Sequence, residues 1–264
     1  MGTLYLVGMG LMDENDMTRR AISLAASCGE IFMEAYSARH VDADPKAISK
    51  ALGRPVKALS RKEMKDGKVI LVAAEAGEAA LLCGGDPGFS TNHAELVIRA
   101  KRQGIEVRWI HAPSLFPAAA ALTGLSPYRF GRTVGIVPRS GEPLSTKPLE
   151  RMGKNLMNGY HTLILLEPDM EREPPEHLLI PRALKIIGEM EEKEGLEMIG
   201  EDTLLCGIAR PGSIEPVAVT GTMSKLEAVN WGEPLHTLVL PGKLGPLEAE
   251  GLVVLTGAPE RILK

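Results

Sequence analysis

Leu81-Leu82-Cys83-Gly84-Gly85-Asp86-Pro87-Gly88-Phe89-Ser90 is the junction on which the fold reading turns. An apolar, strand-like run enters it, and a polar helix start, Ser90-Thr91-Asn92-His93, leaves it. Glycine reaches backbone angles closed to other residues and lets a ligand come close to the main chain. Proline fixes the turn and cannot continue a strand. The stretch therefore predicts a sharply turned loop at a strand's carboxyl end, with freed N–H groups and one carboxylate beside it. In an open α/β sheet, ligands sit at such a place. An ordinary strand-to-helix turn has the same composition, so the flanking segments must decide.

Upstream, Thr3-Leu4-Tyr5-Leu6-Val7 reads as a buried strand, and Gly8-Met9-Gly10-Leu11-Met12-Asp13 as a tight turn. A helix follows over Thr18 to Ser27, with Thr18 as its cap. Strand, Gly-x-Gly and helix suggest a dinucleotide fingerprint, but Asp13 replaces the third glycine, which argues against an NAD site. Ile31 to Tyr36 and Val56 to Leu59 read as strands, Pro45 to Leu52 and Val69 to Gly77 as helices, and Arg61 to Lys68 as a solvated surface. Downstream, Asn92 with Glu95 forms a capping-box-like start. His93 is read as a solvent-facing or helix-start residue, because no second metal ligand follows it at helical spacing. Ile105 to Ile110 alternates like a strand, and Phe116 to Leu122 is an Ala-rich helix. Alternating strands and helices predict a mostly parallel sheet.

From Gly131 the texture changes. Strands are expected at 133–137, 161–166, 203–209, 216–220, 236–240 and 252–255, and helices at 149–158 and 181–192. Residues 138–148 and 171–175 read as loops, and the acidic run Glu189 to Glu197 as a solvated helix end. The later strands crowd together with fewer helices between them, which predicts antiparallel pairs. The expected fold class is α/β with two α/β domains, a mostly parallel N-terminal sheet and a mixed C-terminal sheet. The expected boundaries are 1–112 for the first domain, 113–130 for the connection and 131–264 for the second.

With 264 residues and 44% hydrophobic content, the chain can bury a substantial core. The net charge of −4 gives no electrostatic reason to expect nucleic acid or an anionic membrane as partner. Cys28, Cys83 and Cys206 form no CxxC pair, which argues against a disulfide framework or a zinc site and fits a reducing cytoplasm. No apolar run approaches the ~18 residues of a membrane span, and no signal-peptide pattern opens the chain.

Taken in order, four blocks resemble the tetrapyrrole methylase-like class of S-adenosylmethionine-dependent methyltransferases. They are Tyr5-Leu6-Val7-Gly8-Met9-Gly10, Gly84-Gly85-Asp86-Pro87, Ala112-Pro113-Ser114-Leu115-Phe116-Pro117-Ala118-Ala119-Ala120, and Ala209-Arg210-Pro211-Gly212-Ser213 with Thr220-Gly221-Thr222. Within that class the chain is most similar to the archaeal-type diphthine synthase family. Gly8-Met9-Gly10-Leu11-Met12-Asp13-Glu14, Thr91-Asn92-His93-Ala94-Glu95-Leu96, Gly159-Tyr160-His161-Thr162-Leu163 and His236 leading into Pro241-Gly242-Lys243-Leu244 carry that likeness. Gly84-Gly85-Asp86-Pro87-Gly88-Phe89 departs from the Thr-Pro-Gly-Asp-Pro-Leu type often found in the family. Glycine at 88 should loosen the wall on which a cofactor leans.

The resemblance implies methylation, with trimethylation expected, of the 3-amino-3-carboxypropyl-histidine of translation elongation factor 2. It also implies a cytoplasmic homodimer, S-adenosyl-L-methionine as cofactor and a cofactor cleft between two domains. Family carry-over places cofactor contacts at Leu11, Asp86, Phe89, Ser114, Leu115, Leu166, Ala209 and His236. Several have ordinary structural readings too: an Asx-type turn for Asp86, a helix cap for Ser114, backbone satisfaction for His236. No metal is implied, and no residue stands out as a general base. The alternative within the fold is a precorrin-type C-methyltransferase, and outside it a nucleotide-binding regulatory module without turnover.

Overall fold

In the computed structural model, residues 2–34, 45–89, 93–138, 144–169, 176–195 and 198–264 are described. The chain divides into two units, Met1–Leu115 and Phe116–Lys264. In the first, the strands are β1 (Thr3–Gly8), β2 (Glu30–Glu34), β3 (Lys57–Leu59), β4 (Glu78–Cys83) and β5 (Glu106–Ile110). The helices between them are α1 (Arg19–Ser27), α2 (Pro45–Leu52), α3 (Arg61–Asp66), α4 (Lys68–Ala76) and α5 (Ala94–Arg102). The sheet order is β3-β2-β4-β1-β5, and every pair is parallel.

A parallel sheet needs cover on both faces, which is why Leu4–Val7 of β1 and Ala79–Cys83 of β4 are uninterrupted apolar runs. Leu4, Leu6, Phe32, Leu81 and Cys83 face one way, against Ile70 and Ala74 of α4 and Leu96 and Ala100 of α5. Tyr5, Val7, Ile31, Met33 and Leu82 face the other way, against Ala21 and Ala25 of α1 and Ile48 and Leu52 of α2. Each Leu or Ile so buried contributes roughly 1.5–3 kcal/mol, against typically about 1 kcal/mol for a helix cap. The chain leaves β1 through α1 on one face, whereas it leaves the adjacent β4 through α5 on the opposite face. Two neighbouring strands that exit to opposite faces make a topological switch point at their carboxyl ends.

The second unit holds β6 (Val134–Ile136), β7 (Thr162–Leu166), β8 (Leu205–Ala209), β9 (Val217–Gly221) and β10 (His236–Leu240). Its helices are α7 (Lys147–Met157), α8 (Ile180–Glu194), α9 (Met223–Glu227) and α10 (Pro246–Thr256), after α6 (Leu115–Thr123), whose first residue closes the first unit. The sheet is mixed, in the order β6-β7-β10-β8-β9, with β6 and β7 parallel and the other pairs antiparallel. Ile164, Leu166, Leu205 and Leu238 pack with Leu149, Ile187 and Leu226 on one face. Leu163, Cys206, Ile208 and Val239 pack with Ala119 and Leu252 on the other.

One sequence expectation is overturned and two are refined. Leu252 to Leu255 is not a strand but the end of α10. Only Leu252 of the four is buried, in helical register with Ala249 and Thr256, and Val254 and Leu255 are exposed. The Glu248 carboxylate accepts the Gly245 N–H at 2.8 Å to start that helix, and Gly257 at φ +65° ends it. The basic segment after Ser60 is mostly exposed but helical, because Ser60 and Glu63 cap each other's ends. Of the two readings of His93, the helix-start one holds: it is the N-cap of α5 and, at 4% exposed, does not face solvent. Asn92, loop 171–175, residues 139–143 of loop 138–148 and the end of the expected strand at Tyr36 lie outside the described residues.

Packing on the second sheet is tight enough to test. A Cβ on Gly207 of β8 would lie 2.3 Å from the Trp231 ring, which is held by an Nε1–H bond to the Leu226 carbonyl at 2.9 Å. Gly207→Ala should therefore lower unfolding free energy by about 1–3 kcal/mol, seen as a lower urea midpoint at unchanged slope. An unaltered midpoint would contradict this packing.

Candidate functional site

The turn after β1 and the loop after β4 are joined at the switch point. Gly85 N–H donates to the Gly10 carbonyl at 2.8 Å, and Gly10 N–H returns a bond to the Gly85 carbonyl at 3.3 Å. Both glycines have positive φ, +88° and +67°, the left-handed region that costs side-chain-bearing residues most. A Cβ on Gly10 would also lie 2.2 Å from Asp16 Cβ. That close approach has a purpose: Asp16 Oδ2 accepts the N–H groups of both Leu11 and Met12 at 2.7 Å. In a dinucleotide site, the amides after Gly-x-Gly hold a phosphate. Here a carboxylate of the chain itself already takes them, so the turn disfavours a polyphosphate and suits an uncharged or cationic group.

Asp86 ties the same end of the sheet to β5. Its Oδ1 accepts the Gly88 N–H at 2.8 Å, the Asx-type turn. Its Oδ2 accepts the Ala112 N–H at 3.1 Å and meets His111 Nδ1 at 2.8 Å. Leu11, Asp86, Phe89, Ser114 and Leu115 thus all follow the carboxyl ends of β1, β4 or β5. Leu11, Ser114 and Leu115 are buried, and Phe89 is 42% exposed. Ser114 immediately precedes α6.

In the second unit, Leu166, Ala209 and His236 come together. His236 opens β10 opposite Ala209, the last residue of β8, and Thr237 opposite Leu165 places Leu166 beside them. Leu166 and Ala209 belong to the core on the α8 side of the sheet. His236 Nδ1 accepts the Ile180 N–H at 3.3 Å, and Nε2 donates to the Glu233 carbonyl at 3.1 Å. Both ring nitrogens are therefore engaged by backbone. Burial lowers its pKa from 6.5 to about 4, so the ring is neutral at pH 7.

No cysteine is poised as a nucleophile. Burial pushes the Cys28 thiol up to about 11, Cys206 to about 12 and Cys83 well above its usual range. Sequence reading overlooked Asp16, because it sits in an Asp-Glu-Asn-Asp run where nothing distinguishes one acid from another. It also missed that Glu34, Cys83 and His93 meet behind the β4 loop, with their ligand atoms within 4.8 Å of one another. Their spacing in sequence, 49 and 10 residues, carries no helical or hairpin signal.

The model of the tetrapyrrole (corrin/porphyrin) methylases matches residues 3–195. A diphthine synthase of Methanothermobacter thermautotrophicus is 36% identical over 261 residues, 99% of this chain and 98% of that protein. One from Methanocaldococcus jannaschii is 36% identical over 253 residues, 96% of this chain and 98% of the relative. A crystal structure of diphthine synthase superposes with a TM-score of 0.87 at 27% identity, covering 99% of this chain and 98% of that one.

The buried His236 sets the sign of a pH effect. Between about 4 and 6.5 the unfolded chain binds a proton at this ring that the folded chain does not. Stability therefore falls as pH drops through that window and is flat above it. Denaturation at steps from pH 7.5 to 4 should show this fall, and His236→Gln should make it shallower. An equally steep fall in the variant would contradict the assignment.

Proposed function

The chain belongs to the tetrapyrrole (corrin/porphyrin) methylase family, in its diphthine synthase branch, and we propose that it methylates a modified histidine of translation elongation factor 2. It is a methyltransferase of diphthamide biosynthesis by that membership. The observation that carries the finer reading is the end-to-end match to diphthine synthases, with coverage of 98% or more of both partners in the first of them. A shared fold without that match would leave the substrate open.

The cofactor proposed is S-adenosyl-L-methionine, which when bound supplies an electrophilic methyl on a sulfonium. The first unit suits it because Asp16 already occupies the amides of Leu11 and Met12. No anion is called for there, and an adenosine or a cationic methionyl part is accepted. Leu11, Phe89, Leu115 and Leu166 are proposed as apolar walls, with Ala209 allowing close approach. Ser114 and backbone groups would bond polar edges, Asp86 would hold the loop in shape, and His236 would order the second unit's contribution through its backbone bonds.

The chemistry asks little of side chains. With the cofactor bound, these residues would hold the methyl donor in line with the substrate amine, and the proton that amine must shed would pass to solvent or a substrate carboxylate. The protein positions the partners and excludes water. A protein substrate and a growing trimethylammonium both favour an open site. A homodimer acting in the cytoplasm completes the proposal, and no helix among the described residues is long and apolar enough to cross a membrane.

The test is mass spectrometry of elongation factor 2 bearing the carboxypropyl-histidine precursor, incubated with this chain and cofactor. Mass steps of one methyl each are expected. An unmodified factor, alongside methylation of a precorrin in a parallel reaction, would overturn the proposal in favour of tetrapyrrole C-methylation.

A further inference from the structure

Glu34 ends β2 and Cys83 ends β4. The two strands are parallel neighbours, with Phe32 opposite Leu81 and Met33 opposite Leu82. Glu34 and Cys83 therefore continue the register side by side, on the same face as Phe32 and Leu81. That is the face α5 covers with Leu96 and Ala100. His93, one turn before Leu96, lies on the same helical stripe and points at the same spot. The three side chains are 2%, 0% and 4% exposed.

We infer that Glu34, Cys83 and His93 form a binding site for one divalent transition-metal ion of the Zn²⁺ kind. Carboxylate, thiolate and imidazole are the three side-chain ligand types that Zn²⁺ takes. Bond lengths near 2.0–2.3 Å set ligand atoms roughly 3.3–3.8 Å apart in a tetrahedral shell. His93 Nε2 is 3.4 Å from Glu34 Oε1, and all three ligand atoms lie within 4.8 Å of one another, so a small contraction closes the site.

An ordinary core histidine explains the geometry less well. Its buried nitrogens find hydrogen bonds, yet His93 Nε2 has no hydrogen-bond partner. Leaving such an atom orphaned is costly, and a metal ion removes that cost. Charge balances as well. On binding, the Cys83 S–H bond breaks and its proton leaves to solvent, so thiolate and carboxylate together neutralise the 2+ ion. Three protein donors leave the remaining coordination position to water.

The ion would pin β2, β4 and the start of α5 directly behind the Gly84–Phe89 loop. This is a structural role, separate from methyl transfer, so it stands or falls independently of the proposed reaction.

The test is titration of the metal-free full chain with Co²⁺, followed by displacement with Zn²⁺. One equivalent of Co²⁺ should give a near-ultraviolet thiolate-to-cobalt band and visible d–d bands of tetrahedral strength, both abolished by Zn²⁺. Cys28→Ser and Cys206→Ser should keep the thiolate band, and Cys83→Ser should lose it. His93→Ala should weaken Co²⁺ binding at least tenfold. Circular dichroism establishes that each variant is folded, and the wild-type titration decides the matter even if Cys83→Ser is not. No Co²⁺ spectrum and no retained Zn²⁺ in the wild-type chain would overturn the inference. So would a thiolate band that survives in folded Cys83→Ser, or d–d bands without one.

Discussion

Two backbone hydrogen bonds between Gly10 and Gly85 hold the carboxyl ends of β1 and β4 together across the switch point of the first sheet. Much of the functional reading depends on that link. It requires positive φ at both residues, which excludes most side chains. It brings the β1 turn under Asp16 and the β4 loop under Asp86, so that two carboxylates bond five backbone or ring N–H positions between them. The result is a stiff rim of main chain whose own acids have taken up its donors. Such a rim rejects phosphate chemistry and is compatible with a neutral or cationic ligand.

The second unit is organised by a different constraint. Leu166, Ala209 and His236 meet because β10 runs antiparallel to both β7 and β8, which sets a strand start beside two strand ends. His236 is bound on both sides by backbone, so its value lies in fixing the start of α8 against β10. A neutral, fully engaged imidazole of this kind orders the backbone around it and does not titrate near neutral pH. Burial keeps all three cysteine thiols protonated, so none is an activated nucleophile.

The fold was largely legible because both sheets follow burial. Leu4–Val7 and Ala79–Cys83 are apolar at every position, as a sheet covered on both faces demands. Leu252–Leu255 misled for the same reason: a run of four apolar residues looks like a buried strand, yet α10 hides only every third or fourth side chain. Capping decided between the two, through Gly245–Glu248 and Gly257, signals weaker than hydrophobicity. Among site residues, those in the glycine-rich loop and strand ends could be named from order and resemblance. Asp16 and the Glu34–Cys83–His93 cluster could not, since only strand register and the approach of α5 bring them to their partners.

The proposed receiver of S-adenosyl-L-methionine is the rim at Gly10 and Gly85. Hydrogen exchange of the full chain, with and without S-adenosyl-L-methionine, addresses it most directly. Peptides spanning 9–17, 84–89 and 111–115 should gain protection when the cofactor is present. Demonstrable binding with exchange unchanged in all three peptides would contradict the account.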